Sequence, residues 1–218
     1  MNIIDMNIPY ILPINQESLV VASNILLDGG VVCIPTDTVY GLAAIAIDEN
    51  AVKKIFDIKQ RPPDTPLPIF IEKPEDLQYF TTQKISENIK KITNQLWPGA
   101  LTAILQKSEK IPGITVSGLD SAGFRIPDHE VPIQLCKLTK SPITGTSANI
   151  SGRKAARSIT DATDQFQNFH PDLYIDGGNL DSDLASTIVD FTTIPHNILR
   201  EGAISSEKIR SILNEDKS

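Results

Sequence analysis

Lys59 and Arg61 stand two positions apart in Phe56-Asp57-Ile58-Lys59-Gln60-Arg61-Pro62-Pro63, after a helical pattern of apolar residues and before a strand-like one. A compact ammonium and a planar guanidinium at such a junction can hold phosphate or carboxylate oxygens, the guanidinium in bidentate fashion. Later, Gly145-Thr146-Ser147-Ala148-Asn149-Ile150-Ser151-Gly152 follows the apolar Pro142-Ile143 and supplies small hydrogen-bonding groups at close spacing. Brought together, the two segments would cradle a polyanion. Each also has a plainer reading. Lys59 and Arg61 can be a solvated charge pair beside a proline turn, and Ser147 and Asn149 a turn or cap before Ser151-Gly152.

The elements that would position these groups alternate along the chain. Apolar periodicity predicts a helix over residues 16–27, stopped by Asp28-Gly29-Gly30, and Val31-Val32-Cys33-Ile34 reads as a buried strand. A second strand is expected over 41–47, then a helix over 51–58 with Asp48 as its N-cap. Further apolar runs lie at 67–71, 101–105, 124–126, 143–144, 173–175, 187–191 and 198–199. Helical composition fills 75–79, 85–97, 132–138, 158–166 and 205–213. Alternation of this kind predicts one α/β domain, a mixed, twisted sheet flanked by helices around an open basic concavity. Residues 1–218 read as a single unit, its core running from about 14 to 204 and its last helix over 205–214. Neither GxGxxG nor GxxxxGK[ST] occurs, so a dinucleotide loop and a P-loop find no support.

At 218 residues the chain can bury a sizeable core, and no apolar run approaches the roughly 20 residues of a membrane span. The first residues, Met1-Asn2-Ile3-Ile4-Asp5, show no secretory pattern, so the cytoplasm is the expected compartment. Cys33 and Cys136 lie in apolar surroundings without CxxC spacing and read as reduced core thiols. A net charge of −7 argues against coating nucleic acid by bulk electrostatics. A local basic groove would need clustering of residues such as Lys53, Lys54, Lys59, Arg61, Arg125, Arg153, Lys154 and Arg157. His129, His170 and His196 show no ligand spacing, so a protein-caged metal is not expected.

Beyond these patterns, seven blocks in order resemble the YrdC/TsaC family, the L-threonylcarbamoyladenylate synthases. They are Ile34-Pro35-Thr36-Asp37-Thr38-Val39-Tyr40-Gly41-Leu42; Lys59-Gln60-Arg61-Pro62 with Pro66-Leu67; Trp97-Pro98-Gly99 with Leu101-Thr102; Arg125-Ile126-Pro127-Asp128-His129; Ser147-Ala148-Asn149 with Ser151-Gly152; Ser186-Thr187-Ile188-Val189-Asp190; and Leu199-Arg200-Glu201-Gly202-Ala203. The resemblance implies a single-domain synthase that makes threonylcarbamoyl-AMP and pyrophosphate from L-threonine, bicarbonate and ATP. That is the first step towards N6-threonylcarbamoyladenosine of tRNA, with a separate transferase taking the product. Magnesium is expected to arrive with ATP, held mainly by phosphates and water. Two other readings stay open: a double-stranded RNA or tRNA binding module without catalysis, and a carbamoyl-transfer relative.

The resemblance assigns Lys59 and Arg61 to the reaction centre. It puts ATP against Lys59, Pro63, Ser121, Ser147, Asn149, Arg157 and Arg200, and threonine against Thr36, Arg61, Pro68, Arg125, Gly145 and Ser186. Two positions depart from the family pattern. Lys154-Ala155-Ala156-Arg157 replaces a Pro-Ser-Pro type run, leaving Arg157 to substitute for a serine, and Pro68 removes a side-chain donor. Read without the family, Thr36, Thr38 and Tyr40 are strand-end and turn residues, Arg125 pairs with Asp128 or Glu130, and Arg200 makes a surface ion pair. Trp97 reads as a core aromatic at a helix end.

Overall fold

The computed structural model describes residues 10–62, 64–166, 169–181 and 184–214. In chain order the elements are β1 (Ile11–Pro13), α1 (Gln16–Leu27), β2 (Val32–Ile34), β3 (Gly41–Ala43), α2 (Glu49–Lys59) and β4 (Ile69–Phe70). Next come α3 (Leu77–Phe80), α4 (Glu87–Leu96), β5 (Leu101–Gln106), β6 (Ser121–Arg125), α5 (Glu130–Thr139), β7 (Ile143–Thr144) and β8 (Thr146–Ser147). The chain continues through α6 (Ile159–Gln165), β9 (Leu173–Asp176), β10 (Thr187–Asp190), β11 (Asn197–Arg200) and α7 (Ser206–Leu213).

The expected α/β fold with mixed strand pairing is present, but the strands divide between two sheets. One has the order β1-β9-β2-β3-β8 and the other β11-β10-β5-β6-β4-β7. In the first, β9 runs parallel to β1 and β2, whereas β3 is antiparallel to β2 and β8. Strand β1 lies ahead of the expected core limit at residue 14 and forms one edge of this sheet. The strand expected over 41–47 ends at Ala43. Beyond it the chain leaves the first sheet and crosses to the second, where Ile45 bridges Ile143 and the Ala46 amide donates to the Pro142 oxygen at 2.9 Å.

Alternation along the strands sorts side chains into three cores. From the first sheet, Val31, Cys33 and Leu42 pack with α2 and α6 on one face, and Val32, Ile34 and Ala43 with α1 and α5 on the other. From the second sheet, Leu101, Ala103, Leu105, Ala122, Phe124 and Val189 meet α4 and α7, and Trp97 joins them as expected. Both cysteines are buried and unpaired. The opposite face of the second sheet carries Thr102, Ser121, Arg125 and Ile188; Arg125 meets the turn after β2, and β8 shares a hollow with Arg125 and Ile188.

Candidate active site

Helix α2 begins at Asp48, whose carboxylate accepts from the amides of Asn50 and Ala51, and ends in a left-handed Gln60 at φ 48°. The Arg61 amide reaches back to the Phe56 oxygen at 3.0 Å and the Gln60 amide to Asp57 at 3.2 Å. This is a Schellman ending built on glutamine rather than glycine. It turns the chain sharply, so Lys59 points inward from the last helical turn while Arg61 leaves along the wall.

Lys59 is 1% exposed. Its Nζ donates to the backbone oxygen of Ser147, to the Asn149 oxygen at 2.9 Å and towards Asn149 Oδ1 at 3.5 Å. Asn149 closes its own loop, with Oδ1 accepting from Ser147 Oγ at 2.6 Å and Nδ2 donating to the oxygens of Ile150 and Arg153 at 2.8 and 2.9 Å. The Ser151 amide then donates to the Lys59 oxygen at 2.9 Å. The lysine-arginine segment and the small polar run are thereby one structure. Burial, with the Arg61 charge adding to it, lowers the Lys59 ammonium to about 7. Both effects penalise the cation, so an anion brought to this ammonium would restore it.

A hollow of about 230 Å³ opens here, lined by Lys59, Arg61, Pro62, Thr65, Ser147, Asn149, Ser151 and Gly152. A second, of about 350 Å³, is lined by Thr38, Val39, Arg61, Thr65, Pro66, Pro68, Arg125, Gly145, Thr146, Ser147, Ala185, Ser186, Ile188 and Arg200. Arg61, Thr65 and Ser147 line both. The guanidinium of Arg61 is held in that shared wall by the oxygens of Thr65 and Pro66, each at 3.1 Å, and by Thr146 Oγ1 at 3.4 Å.

In the second hollow Arg125 is 5% exposed. It does not pair with Asp128 or Glu130. Its Nη2 lies 2.6 Å from Asp37 Oδ1, Nε donates to the Gly99 oxygen at 2.9 Å, and Nη1 approaches Thr38 Oγ1 at 3.4 Å. Strand β6 ends by carrying Arg125 towards the Thr36–Thr38 turn, so the carboxylate it meets lies far from it in sequence. Ser186 Oγ is 2.9 Å from Thr102 Oγ1, and the Ser186 oxygen accepts from Arg200 Nε and Nη2 at 3.1 and 2.9 Å. Arg200 is therefore not the surface ion pair of the plainer reading. Burial lowers the guanidinium pKa values of Arg61, Arg125 and Arg200 alike.

Two local devices shape this wall. The register pairs Ile188 with Arg200 and Val189 with Ile198, leaving Leu199 as a bulge. Cross-strand partners share a face, so the bulge turns Arg200 to the side of Ile188 and the hollow instead of following Ile198 into the core. Gly145 is fixed by contact, because a Cβ there would lie 2.1 Å from Phe70 Cζ.

Of the residues named from sequence, Lys59, Arg61, Ser147 and Asn149 meet in the first hollow, and Arg61, Pro68, Arg125, Gly145, Ser186 and Arg200 in the second. Thr36 lies behind the wall. Its hydroxyl donates to the Val39 oxygen at 2.7 Å and accepts from the Thr38 amide at 3.1 Å, so Thr38 is the threonine that lines the hollow. Ser121 shares a face of β6 with Arg125 but lines neither hollow. Arg157 directs Nε to the Leu180 oxygen at 3.1 Å and Nη2 to the Asp181 oxygen at 3.5 Å, away from both linings. Pro63 lies outside the described residues. Sequence reading missed Asp37, Thr65 and Thr146. The first was legible only as the middle of Thr36-Asp37-Thr38, where two hydroxyls flank a carboxylate.

Residues 24–202 match the model of the Sua5/YciO/YrdC family, described as telomere recombination. The chain belongs to this family. The threonylcarbamoyl-AMP synthase of Pyrococcus abyssi is 38% identical over 202 residues, which cover 93% of this chain and 59% of that relative. A putative threonylcarbamoyl-AMP synthase of Methanocaldococcus jannaschii is 34% identical over 184 residues, covering 84% of this chain and 85% of the relative. Among solved structures of the family, P. abyssi Sua5 complexed with L-threonine superposes with a TM-score of 0.89 at 37% identity, covering 95% of this chain and 61% of that one. The chain thus spans about three fifths of the length of the P. abyssi proteins.

Proposed function

We propose that the protein is an L-threonylcarbamoyladenylate synthase, forming threonylcarbamoyl-AMP and pyrophosphate from L-threonine, bicarbonate and ATP. The observation that carries this reading is the pair of hollows sharing Arg61, Thr65 and Ser147. Nucleotide phosphates against Lys59 and Asn149, and an amino acid against Arg125 and Ser186, would meet at one guanidinium. The family's synthases, and a relative complexed with L-threonine, support the same assignment.

The chemistry asks for little beyond placement and charge. Threonine's amine adds to bicarbonate with loss of water, giving a carbamate. A carbamate oxygen attacks the α-phosphorus of ATP, and the bond to the β-phosphate oxygen breaks to release pyrophosphate. No protein nucleophile takes part. Arg61 and Lys59 offset the charge gathering on carbamate and phosphates, and each charge-assisted hydrogen bond is worth about 1.5–3 kcal/mol, roughly one to two decades in rate. Among the described residues no group of three or more His, Cys, Asp or Glu stands together. Magnesium would arrive with ATP and be held mainly by its phosphates and water.

No helix among the described residues is long and apolar enough to cross a membrane. The reading places the reaction in the cytoplasm and hands the labile adenylate to a separate transferase acting on tRNA. Purified protein should release pyrophosphate from magnesium ATP only when both threonine and bicarbonate are present. Release indifferent to threonine would end this reading.

A further inference from the structure

The Arg125–Asp37 ion pair has side chains 6% and 14% exposed. Asp37 does not itself line the amino-acid hollow, whereas Arg125 does. The carboxylate sits in a turn fixed by Thr36, whose hydroxyl bonds the Val39 oxygen and receives the Thr38 and Val39 amides at 3.1 and 3.3 Å. From that anchored turn Asp37 takes one Nη2 hydrogen, Thr38 takes Nη1 and the Gly99 oxygen takes Nε. The guanidinium plane is held along three directions, which leaves one hydrogen on each of Nη1 and Nη2 in a residue that lines the hollow. The Arg125 carbon lies 5.9 Å from the centre of the Phe70 ring, which limits movement on that side.

A salt bridge of this kind contributes little stability after two charges have been desolvated, so stability alone is a weak account of it. A carboxylate ligand, by contrast, is recognised by a guanidinium fork whose orientation is already set, because the entropy of ordering it is not lost at binding. We propose that Asp37 is a positioning residue for the amino-acid substrate: it aims the Arg125 fork at the substrate carboxylate without touching the substrate. The inference rests on the synthase reading and adds a residue to it.

L-Threonine binding measured directly by titration calorimetry tests this without needing turnover. Asp37→Ala should weaken threonine binding about tenfold, the loss expected for one charge-assisted contact, and leave ATP binding unchanged. Asp37→Asn keeps an oxygen acceptor in place and should recover most of that loss. In the Arg125→Lys background, where there is no fork to aim, Asp37→Ala should add little, a coupling that a general loss of structure would not produce. Equal weakening of threonine and ATP, no weakening of either, or additive losses in the double variant would each overturn the role of Asp37. If wild-type protein itself binds no threonine, the synthase reading falls first and takes this role with it.

Discussion

The ammonium of Lys59 lies 2.9 Å from the backbone oxygen of Asn149, ninety positions further along the chain. That contact joins the end of one helix to the loop of small residues whose Ser147 lines both hollows. Lys59→Met leaves the loop oxygens of Ser147 and Asn149 without their donor and removes the cation. Threonine-dependent pyrophosphate release should fall by at least about a hundredfold, the loss of two or more charge-assisted bonds acting on the transition state. Arg61→Ala, which strips the shared wall, should raise the KM of both substrates as well as lowering kcat.

Nucleotide binding should depend on pH through Lys59. Burial first and the Arg61 charge second lower its ammonium to about 7 in the free protein, and phosphates beside it raise that value again. Above that pH, binding must take up a proton, so apparent ATP affinity should weaken by up to about tenfold per pH unit. Calorimetry in buffers of different ionisation enthalpy reads the uptake directly. A pH-independent affinity between neutrality and pH ~9 would exclude the titration.

The same shift bears on stability with a definite sign. An unfolded lysine titrates near 10.4, so between about 7 and that value the unfolded chain binds more protons than the folded one. Stability should therefore rise with pH across this window, and the cost of burying the ammonium is fully present below it. Urea unfolding of wild type against Lys59→Met isolates the effect, since the variant should lose that part of the slope.

Gly145 tests the packing beneath the amino-acid hollow. Gly145→Ala drives a methyl group into the Phe70 ring, since its carbon would lie only 2.1 Å from Cζ. Overpacking of this kind costs about 1–3 kcal/mol, or roughly 2–4 °C of melting temperature per kcal/mol for a chain of this size. Adding Phe70→Leu should return part of the loss in a thermal melt.

The bulge at Leu199 aims Arg200. Deleting Leu199 removes the extra residue, so Arg200 follows Ile198 directly, keeps its pairing with Ile188 and stays on the hollow side of β11. Ligand binding in the second hollow, which Arg200 lines, should therefore survive the deletion far better than it survives Arg200→Ala. A loss in the deletion variant as large as in Arg200→Ala would show that the register between β10 and β11 does not orient the arginine.

The readable parts of this molecule were those set by local chemistry. The Asp28-Gly29-Gly30 stop closes α1 at Leu27 and Asp48 caps α2, while Lys59, Asn149, Arg125 and Ser186, marked by the family resemblance rather than by local pattern, line the two hollows. What stayed hidden depends on the third dimension. Strand β8, Thr146–Ser147, is two polar residues long and reads as loop until β3 supplies its partner. Asp128 and Glu130 are the carboxylates near Arg125 in sequence, yet its partner is Asp37, eighty-eight positions earlier. A guanidinium also gives no hint of its direction. Arg157 sits in the right block, and the chain at Leu180 and Asp181 folds beside it and takes its hydrogens. Nothing in Ile198-Leu199-Arg200 marks which residue will bulge.

The central claim is that one guanidinium, that of Arg61, serves amino acid and nucleotide together. Isotopically labelled bicarbonate supplied with L-threonine and magnesium ATP tests it most directly, with the products read by mass spectrometry. Wild-type protein should carry the label into a threonine-containing adenylate in step with pyrophosphate, and Arg61→Ala should not. Pyrophosphate formed without labelled adenylate, or an Arg61→Ala variant as active as wild type, would contradict the account.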